Sequence, residues 1–423
     1  MNRSKIALTL LAAAIGLVGC GDKPADTKKT AEVKKEAPPA PPPSIEIKIG
    51  HVGPLTGGIA HLGKDNENGA QLAIDEANGA SIKIDGKDAK FVLVKEDDQA
   101  DPKIGTTVAQ KLADAKVAGV VGHLNSGTSI PASDIYNKAG IPVISGSATN
   151  PKLTEQGFKV QFRVVARDDQ QGPAVANYIA SAAKPKLVAV IDDATAYGEG
   201  LANEVEKSLK GANVKVLPRE KGTDKTTDWK AVLTKLKGRK PDAIFYGGMD
   251  ATGGPMLKQA RELGIKAVFS FGDGACTDEM PKLAGAAADG MVCSQAGLPP
   301  QAADKKFLDA YKKKFNVAPI IYAPFTYDAA NLLIEAMKKA NSADPAKYLP
   351  ELAKIDYKGA TGQIAFDDKG DRKGAEITIF TMKAGKLEPT AIVKDGKSVP
   401  YAEFVGGAAP APAAAPAKDE AKK

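Results

Sequence analysis

The run Ile45-Glu46-Ile47-Lys48-Ile49-Gly50-His51-Val52-Gly53-Pro54-Leu55-Thr56-Gly57-Gly58 decides the fold. Ile45, Ile47 and Ile49 alternate with Glu46 and Lys48, the two-residue period of a strand, and that strand runs into a glycine-rich turn. Outward from it the spacing predicts a helix near 69–77, a strand at 91–94 and a helix over 102–113 opened by Asp101-Pro102. A buried strand at 117–121, a helix at 129–138 and a strand at 141–144 follow. Short apolar strands alternating with helices predict an α/β fold, a parallel sheet covered by helices on both faces.

After 160–165 the pattern restarts, with helices expected at 170–183, 200–210 and 228–237 and strands at 187–191, 214–217 and 243–246. Strands near 268–271 and 290–293 continue this second lobe, before helices at 304–315 and 324–340. The last strands, 363–366 and 377–382, lie too far along to form a domain alone. They are expected to cross back, which makes each lobe discontinuous.

The chain has 423 residues, enough for two domains, and 43% of them are hydrophobic, which excludes wholesale disorder. Its 58 Lys+Arg against 51 Asp+Glu give a net charge of +7, a weak field over this length that does not call for nucleic acid. Arg3 and Lys5 precede an apolar run over 6–18, too short for a membrane span, so residues 1–19 read as an export signal. The run ends in Leu17-Val18-Gly19-Cys20, which resembles the bacterial lipobox and makes Cys20 the expected lipid anchor. Residues 20–44, with Pro38, Pro39, Pro41, Pro42 and Pro43, read as a disordered tether, and 406–423 as a disordered Ala/Pro-rich tail. The folded part is expected in the cell envelope, outside the cytoplasm.

Ligands of parallel sheets sit beyond the carboxyl ends of strands, where helix N-termini present N–H groups to anions. Two uncharged, hydroxyl-rich loops occupy such positions: His123-Leu124-Asn125-Ser126-Gly127-Thr128 and Ser145-Gly146-Ser147-Ala148-Thr149-Asn150. They suit one carboxylate better than a triphosphate, and capped turns are the structural alternative. Asp273 stands between two glycines directly after a strand and can accept from an ammonium or make a local turn. Tyr197 also follows a strand and can cover a ligand or join the core.

His51, His61 and His123 lack the spacing of zinc ligands, so solvated or capping roles are expected. Glu96-Asp97-Asp98 and Asp367-Asp368-Lys369-Gly370-Asp371 lack the spacing of a calcium loop and read as turns or solvated faces. No metal, no cofactor and no catalysis are expected. Cys276 and Cys293 remain as a pair, for which an oxidising compartment favours a disulfide over free thiols.

The stretch from Ile47 to about Lys394 resembles the leucine/isoleucine/valine-binding proteins of bacterial ABC importers. The resemblance is carried by Asp97-Asp98 with Asp101-Pro102, Gly122-His123-Leu124, Pro131-Ala132-Ser133-Asp134-Ile135-Tyr136, Gln171-Gly172-Pro173, Tyr197-Gly198-Glu199-Gly200-Leu201-Ala202 and Tyr246-Gly247-Gly248. It implies two Rossmann-like lobes joined by a three-segment hinge: 45–167 with 297–375, and 168–296 with 376–405. It further implies that Ser126 and Thr149 hold an amino acid's carboxylate, with Ser147 and Ala148 alongside, and that Asp273 faces the ammonium where the family commonly has Glu. Leu62 and Met249 stand where branched-chain binders have pocket tyrosines, which keeps the pocket apolar without hydroxyls or flat walls. Ala100 and Asn125 replace the family's disulfide in the first lobe.

The partners implied are an amino acid, the membrane subunits of a permease and the bilayer through the lipid, around a monomer. An envelope lipoprotein that reuses the fold as an interaction module or ligand sensor is the competing reading.

Overall fold

The computed structural model describes residues 43–406. The export signal, Cys20, the tether as far as residue 42 and the tail beyond residue 406 lie outside the described residues.

The opening strand, β1 (Ser44–Gly53), is the centre of a six-stranded sheet with β2 (Lys83–Ile84), β3 (Lys87–Asp97), β4 (Gly119–Val121), β5 (Val143–Ser145) and β6 (Gln161–Arg163), in the order β2-β3-β1-β4-β5-β6. All neighbours except β2 and β3 run parallel, as β-α-β connections demand. A second sheet holds β7 (Leu187–Asp192), β8 (Lys215–Val216), β9 (Glu220–Lys221), β10 (Ala243–Gly247), β11 (Val268–Phe271) and β12 (Val292–Gln295). The hairpin β13 (Asp356–Gly359) and β14 (Gly362–Ala365) forms a sheet of its own. The strand expected at 363–366 thus pairs locally and joins neither large sheet. Then β15 (Ile377–Lys383), β16 (Lys386–Lys394) and β17 (Lys397–Pro400) return antiparallel onto β12 and complete the second sheet.

Around the first sheet stand α1 (Ala60–Gly79), α2 (Pro102–Asp114) and α3 (Ser126–Ala139); around the second stand α4 (Asp168–Tyr178), α5 (Ala196–Gly211), α6 (Lys230–Arg239), α7 (Asp250–Glu262) and α8 (Met280–Ala284). The chain then supplies α9 (Lys305–Phe315), α10 (Ala323–Ala340) and α11 (Pro345–Ala353), of which α9 and α10 pack on α1 and α11 packs on α10. The α/β fold is two-lobed, with one large sheet in each lobe.

The chain passes between the sheets after β6, after β12 and before β15. These passages touch, since Ala166 N–H donates to Ala296 carbonyl at 2.9 Å and Arg372 Nη1 to Val164 carbonyl at 3.1 Å. Asp371 is buried there and accepts from Arg167 Nη1 at 2.8 Å and from Thr154 Oγ1 at 2.9 Å, with the Arg163 guanidinium as its second ion-pair partner. Asp367, Asp368 and Lys369 form the exposed turn expected from sequence, and among these acids Asp371 alone departs from that reading. The two guanidiniums hold the Asp371 carboxyl below its usual range although burial opposes this.

Helix α1 begins nine residues before the start expected from sequence. Its first half looked too polar to be buried, yet Asp65, Asn66, Glu67 and Asn68 are all buried with partners. Helix α7 was not expected, because Gly253-Gly254-Pro255 interrupts its pattern. There the small residues serve packing: a Cβ on Gly254 would lie 2.4 Å from Leu283.

Candidate functional site

The loops after β4 and β5 form one face of the inter-lobe cleft. They are fixed from behind by His123, which is buried, with Nδ1 3.0 Å from Asp98 Oδ2 and Nε2 3.0 Å from the Tyr136 hydroxyl. A carboxylate only accepts, so Nδ1 carries a proton, and Nε2 shares a hydrogen bond with the Tyr136 hydroxyl. The His123 carbonyl then accepts from Ser129 Oγ and Ser145 Oγ, tying both loops together. His123 is therefore buried framework, not the solvated or capping group expected, and His51 is likewise fully buried; Asp98 sits at the turn expected there, accepting from Ala100 N–H, but is buried, not solvated.

Ser126 opens α3 and is buried; its Oγ accepts from Asn150 N–H at 3.2 Å. Thr149 is buried, and its Oγ1 has no partner. Ser147 is engaged internally, donating to Leu124 carbonyl and accepting from Asn66 Nδ2, both at 3.1 Å. Ala148 gives its N–H to Ser145 Oγ and its carbonyl to Arg163. Of the four, Thr149 alone keeps a hydroxyl without a partner, while Ser147 and Ala148 shape the loop that carries it.

The facing wall comes from the second lobe. Asp273 follows β11, is 1% exposed, and accepts from Gln171 Nε2 at 2.7 Å, Tyr197 hydroxyl at 2.8 Å and Tyr322 hydroxyl at 2.7 Å. All three donors are neutral. Burial pushes the Asp273 carboxyl up, and the bonds from Tyr322 and Tyr197 hold it back. Burial and the charge of Asp273 keep both phenols well above their ordinary range, so they remain donors. Gly272 lets Tyr197 reach this carboxylate, since a Cβ there would lie 2.4 Å from its hydroxyl.

Asp168, at the start of α4, was not singled out from sequence. It is fully buried, its N–H donates to Thr149 carbonyl at 2.9 Å, and its carboxylate lies near the Thr149 hydroxyl without a well-formed hydrogen bond. Burial first, and the charge of Asp273 second, push it well above the usual carboxylate range. In sequence, Asp168-Asp169 reads as the ordinary acidic first turn of a helix. The only local hint is Gln171 three residues on, which also faces Asp273.

Leu62, on α1, is wholly buried in an apolar cluster that spans the lobes with Ile59, Leu124, Tyr322 and Cys276, and Met249 packs against its edge. Cys276 and Cys293 are joined in a disulfide that ties the loop after Asp273 to β12. The lobes meet through few polar contacts. Asn150 Nδ2 donates to Ala196 carbonyl at 2.6 Å, His61 Nε2 lies 2.7 Å from Asp250 Oδ2, and Tyr322 reaches Asp273. Beside them a space of about 500 Å³ opens between the lobes, lined among others by Ala100, Asn125, Tyr197 and Met249. Asp193, Asp224 and Lys225 also line this space, whereas Ser126, Thr149, Asp168, Asp273 and Leu62 are buried behind its walls.

The profile of the family described as "Periplasmic binding protein" matches residues 46–386. The chain is 34% identical over 335 residues to the leucine-, isoleucine-, valine-, threonine- and alanine-binding protein of Pseudomonas aeruginosa, across 79% of this chain and 89% of that relative. It is 36% identical over 342 residues to the leucine-specific-binding protein of Salmonella typhimurium, across 80% and 91%. Among solved structures it is similar to the branched-chain amino acid transporter substrate-binding protein LivJ of Streptococcus pneumoniae in complex with isoleucine. There the TM-score is 0.75 and the identity 32%, covering 83% of this chain and 100% of that one. The leucine-binding protein LivK of Thermotoga maritima matches with a TM-score of 0.76 and 28% identity, covering 82% and 99%. With a two-lobed fold, a matching profile over most of its length and relatives of this identity, the chain belongs to the periplasmic binding protein family.

Proposed function

We propose that the chain is the substrate-binding lipoprotein of an ABC importer, which captures a zwitterionic amino acid with a branched or other apolar side chain and delivers it to the permease. The observation that carries this reading is the pair Asp168 and Asp273. Both carboxylates are buried and come from the lobe opposite Ser126 and Thr149, and neither has a cationic partner within ion-pair distance among the described residues. An ammonium placed between them answers both, at a contribution of about 1.5–3 kcal/mol for each charge-assisted hydrogen bond. The carboxylate then lies at the N-terminus of α3 with Ser126 and Thr149, where the helix dipole favours an anion. Leu62, Met249 and Tyr197 enclose the side chain.

Because the acids and the hydroxyls belong to different lobes, only the closed arrangement engages both ends of one ligand. Hinge bending at the three passages links ligand capture to closure. Cys20 carries the lipid that keeps the receptor at the membrane after residues 1–19 are removed. Metabolic lipid labelling that persists in Cys20→Ala overturns the anchor.

A thermal-shift screen over the amino acids tests the receptor reading. A ligand at 100 times its Kd is expected to stabilise the fold by about 2.7 kcal/mol. No shift with any amino acid overturns the reading in favour of the interaction module.

A further inference from the structure

The apolar cluster that spans the lobes is completed by a residue far along the chain, in the turn Ile320-Ile321-Tyr322-Ala323 that leads into α10. That turn is held by Asp65 of α1, which is 2% exposed. Its carboxylate accepts from the backbone N–H groups of Ile320, Ile321, Tyr322 and Ala323 at 2.9, 3.1, 2.8 and 2.9 Å, and from the Tyr311 hydroxyl at 3.1 Å. A carboxylate at a helix start with this many donors fixes the backbone of Tyr322 closely. Helix α1 approaches α10 at Gly69, where a Cβ would lie 2.2 Å from Ala323 carbonyl oxygen, so the turn has no room to shift.

From this anchored position the Tyr322 hydroxyl donates to Asp273 Oδ2 at 2.7 Å. The other donors to Asp273, Gln171 and Tyr197, bind Oδ1 and come from α4 and α5, on its own side of the cleft. Tyr322 is thus the donor to this carboxylate that comes from the opposite lobe. A carboxylate has about four acceptor sites, and with both other donors on Oδ1, Tyr322 leaves one site on Oδ2 for an incoming N–H.

We infer that Tyr322 is a positioning residue for the ligand's ammonium: with its backbone fixed by Asp65, its hydroxyl orients Asp273 when the lobes meet. The inference rests on the receptor reading above. It makes the phenol a determinant of affinity, because removing it takes one of three neutral donors from a buried anion. The ring packs among Ile59, Leu62 and Leu124 in the same cluster, so exchange for phenylalanine removes the bond and keeps the packing.

The test compares the wild type with Tyr322→Phe by calorimetry from pH 5 to pH 8. The probe is leucine, or whichever amino acid gives the largest shift in the screen. At pH 7 Tyr322→Phe is expected to bind about tenfold or more weakly. With one donor fewer, the Asp273 carboxyl takes up its proton more readily; Asp168, coupled to it by charge, is present in both proteins, so the acid limb of Tyr322→Phe lies at higher pH than that of the wild type. Tyr311→Phe, which removes a hydroxyl from Asp65 and not from Asp273, serves as the structural control and leaves the limb in place. Wild-type affinity and an unmoved limb in Tyr322→Phe overturn the inference while the receptor reading stands. A wild-type protein that binds no amino acid overturns the reading and the inference with it.

Discussion

His61 Nε2, on the first turn of α1, lies 2.7 Å from Asp250 Oδ2 at the start of α7, so a histidine of one lobe meets a carboxylate of the other. Asp250 is fully buried and also accepts from Thr277 Oγ1 at 2.6 Å. Burial disfavours charge on His61, but the bond and charge of Asp250, with Glu279 behind it and Lys282 opposing, leave its pKa raised above 6.5.

Closure that brings His61 onto Asp250 therefore takes up a proton. The stabilisation of the closed form is complete below the ordinary histidine pKa and is lost as pH rises through the raised value. Calorimetry near pH 7 in two buffers of different ionisation enthalpy is expected to show fractional proton uptake on ligand binding. His61→Gln removes that uptake and weakens binding by about fivefold on the acid side. Equal proton uptake in wild type and His61→Gln refutes the link.

Asp273→Ala is expected to abolish amino-acid binding and to leave a cooperatively folded protein, since the side chain holds only Gln171, Tyr197 and Tyr322. Calorimetry that returns an unchanged Kd removes Asp273 from the site.

Asp168→Asn carries the opposite signs for stability and function. A buried, unpartnered acid with a raised pKa destabilises the fold at neutral pH, where the unfolded chain ionises freely. The amide is expected to raise unfolding free energy by about 1 kcal/mol or more without ligand, and to weaken amino-acid binding about a hundredfold through the lost charge. Denaturant midpoints and titrations on the same sample check both.

Asp371→Asn strikes the passages between the lobes. It leaves the buried Arg163 and the largely buried Arg167 without their shared counter-charge, at a cost of about 3–5 kcal/mol in unfolding free energy. Because the native Asp371 carboxyl is depressed, its contribution is present above the unfolded pKa and fades as pH falls through the folded value. The gap between wild type and variant in urea unfolding is expected to narrow toward acid pH.

Cys276 and Cys293 close a loop with a sequence separation of 17 residues, worth about 3 kcal/mol in the chain-entropy estimate. The double alanine variant is expected to lose about that much stability and to bind more weakly, because the loop beside Asp273 is freed. Equal stability with and without reductant contradicts this.

The two-lobed α/β architecture was legible because buried parallel strands such as Val188–Ile191 and Ala243–Tyr246 are apolar runs that need no context. The loops holding Ser126, Thr149 and Asp273 were legible because glycines and hydroxyls follow those strands directly. The disulfide followed from cysteine count and compartment, and the structure contains it. What escaped depends on distant partners. His123 and Asp98 look like surface groups until Tyr136 and the strand ends enclose them, and Asp168 looks like an ordinary helix start until α4 meets Asp273. Tyr322 lies 49 residues from its carboxylate, a distance no local pattern spans. The antiparallel β16 and β17 escaped because Lys386–Lys394 is polar on its exposed positions and carries Pro389.

The interleaved course of the chain also orders the birth of the molecule. A chain crossing a membrane N-terminus first presents β1 to β6 early, yet the helices α9 and α10 that pack against α1 arrive only some 140 residues after β6. The second sheet waits longer, since β15 to β17 close it with the last described stretch of sequence. Until then the open edge of β12, with its unpaired backbone groups, is a template for foreign strands. A chain that emerges N-terminus first thus carries half-built apolar surfaces through most of its length, and its exposure to wrong partners ends only when residues 377–400 arrive.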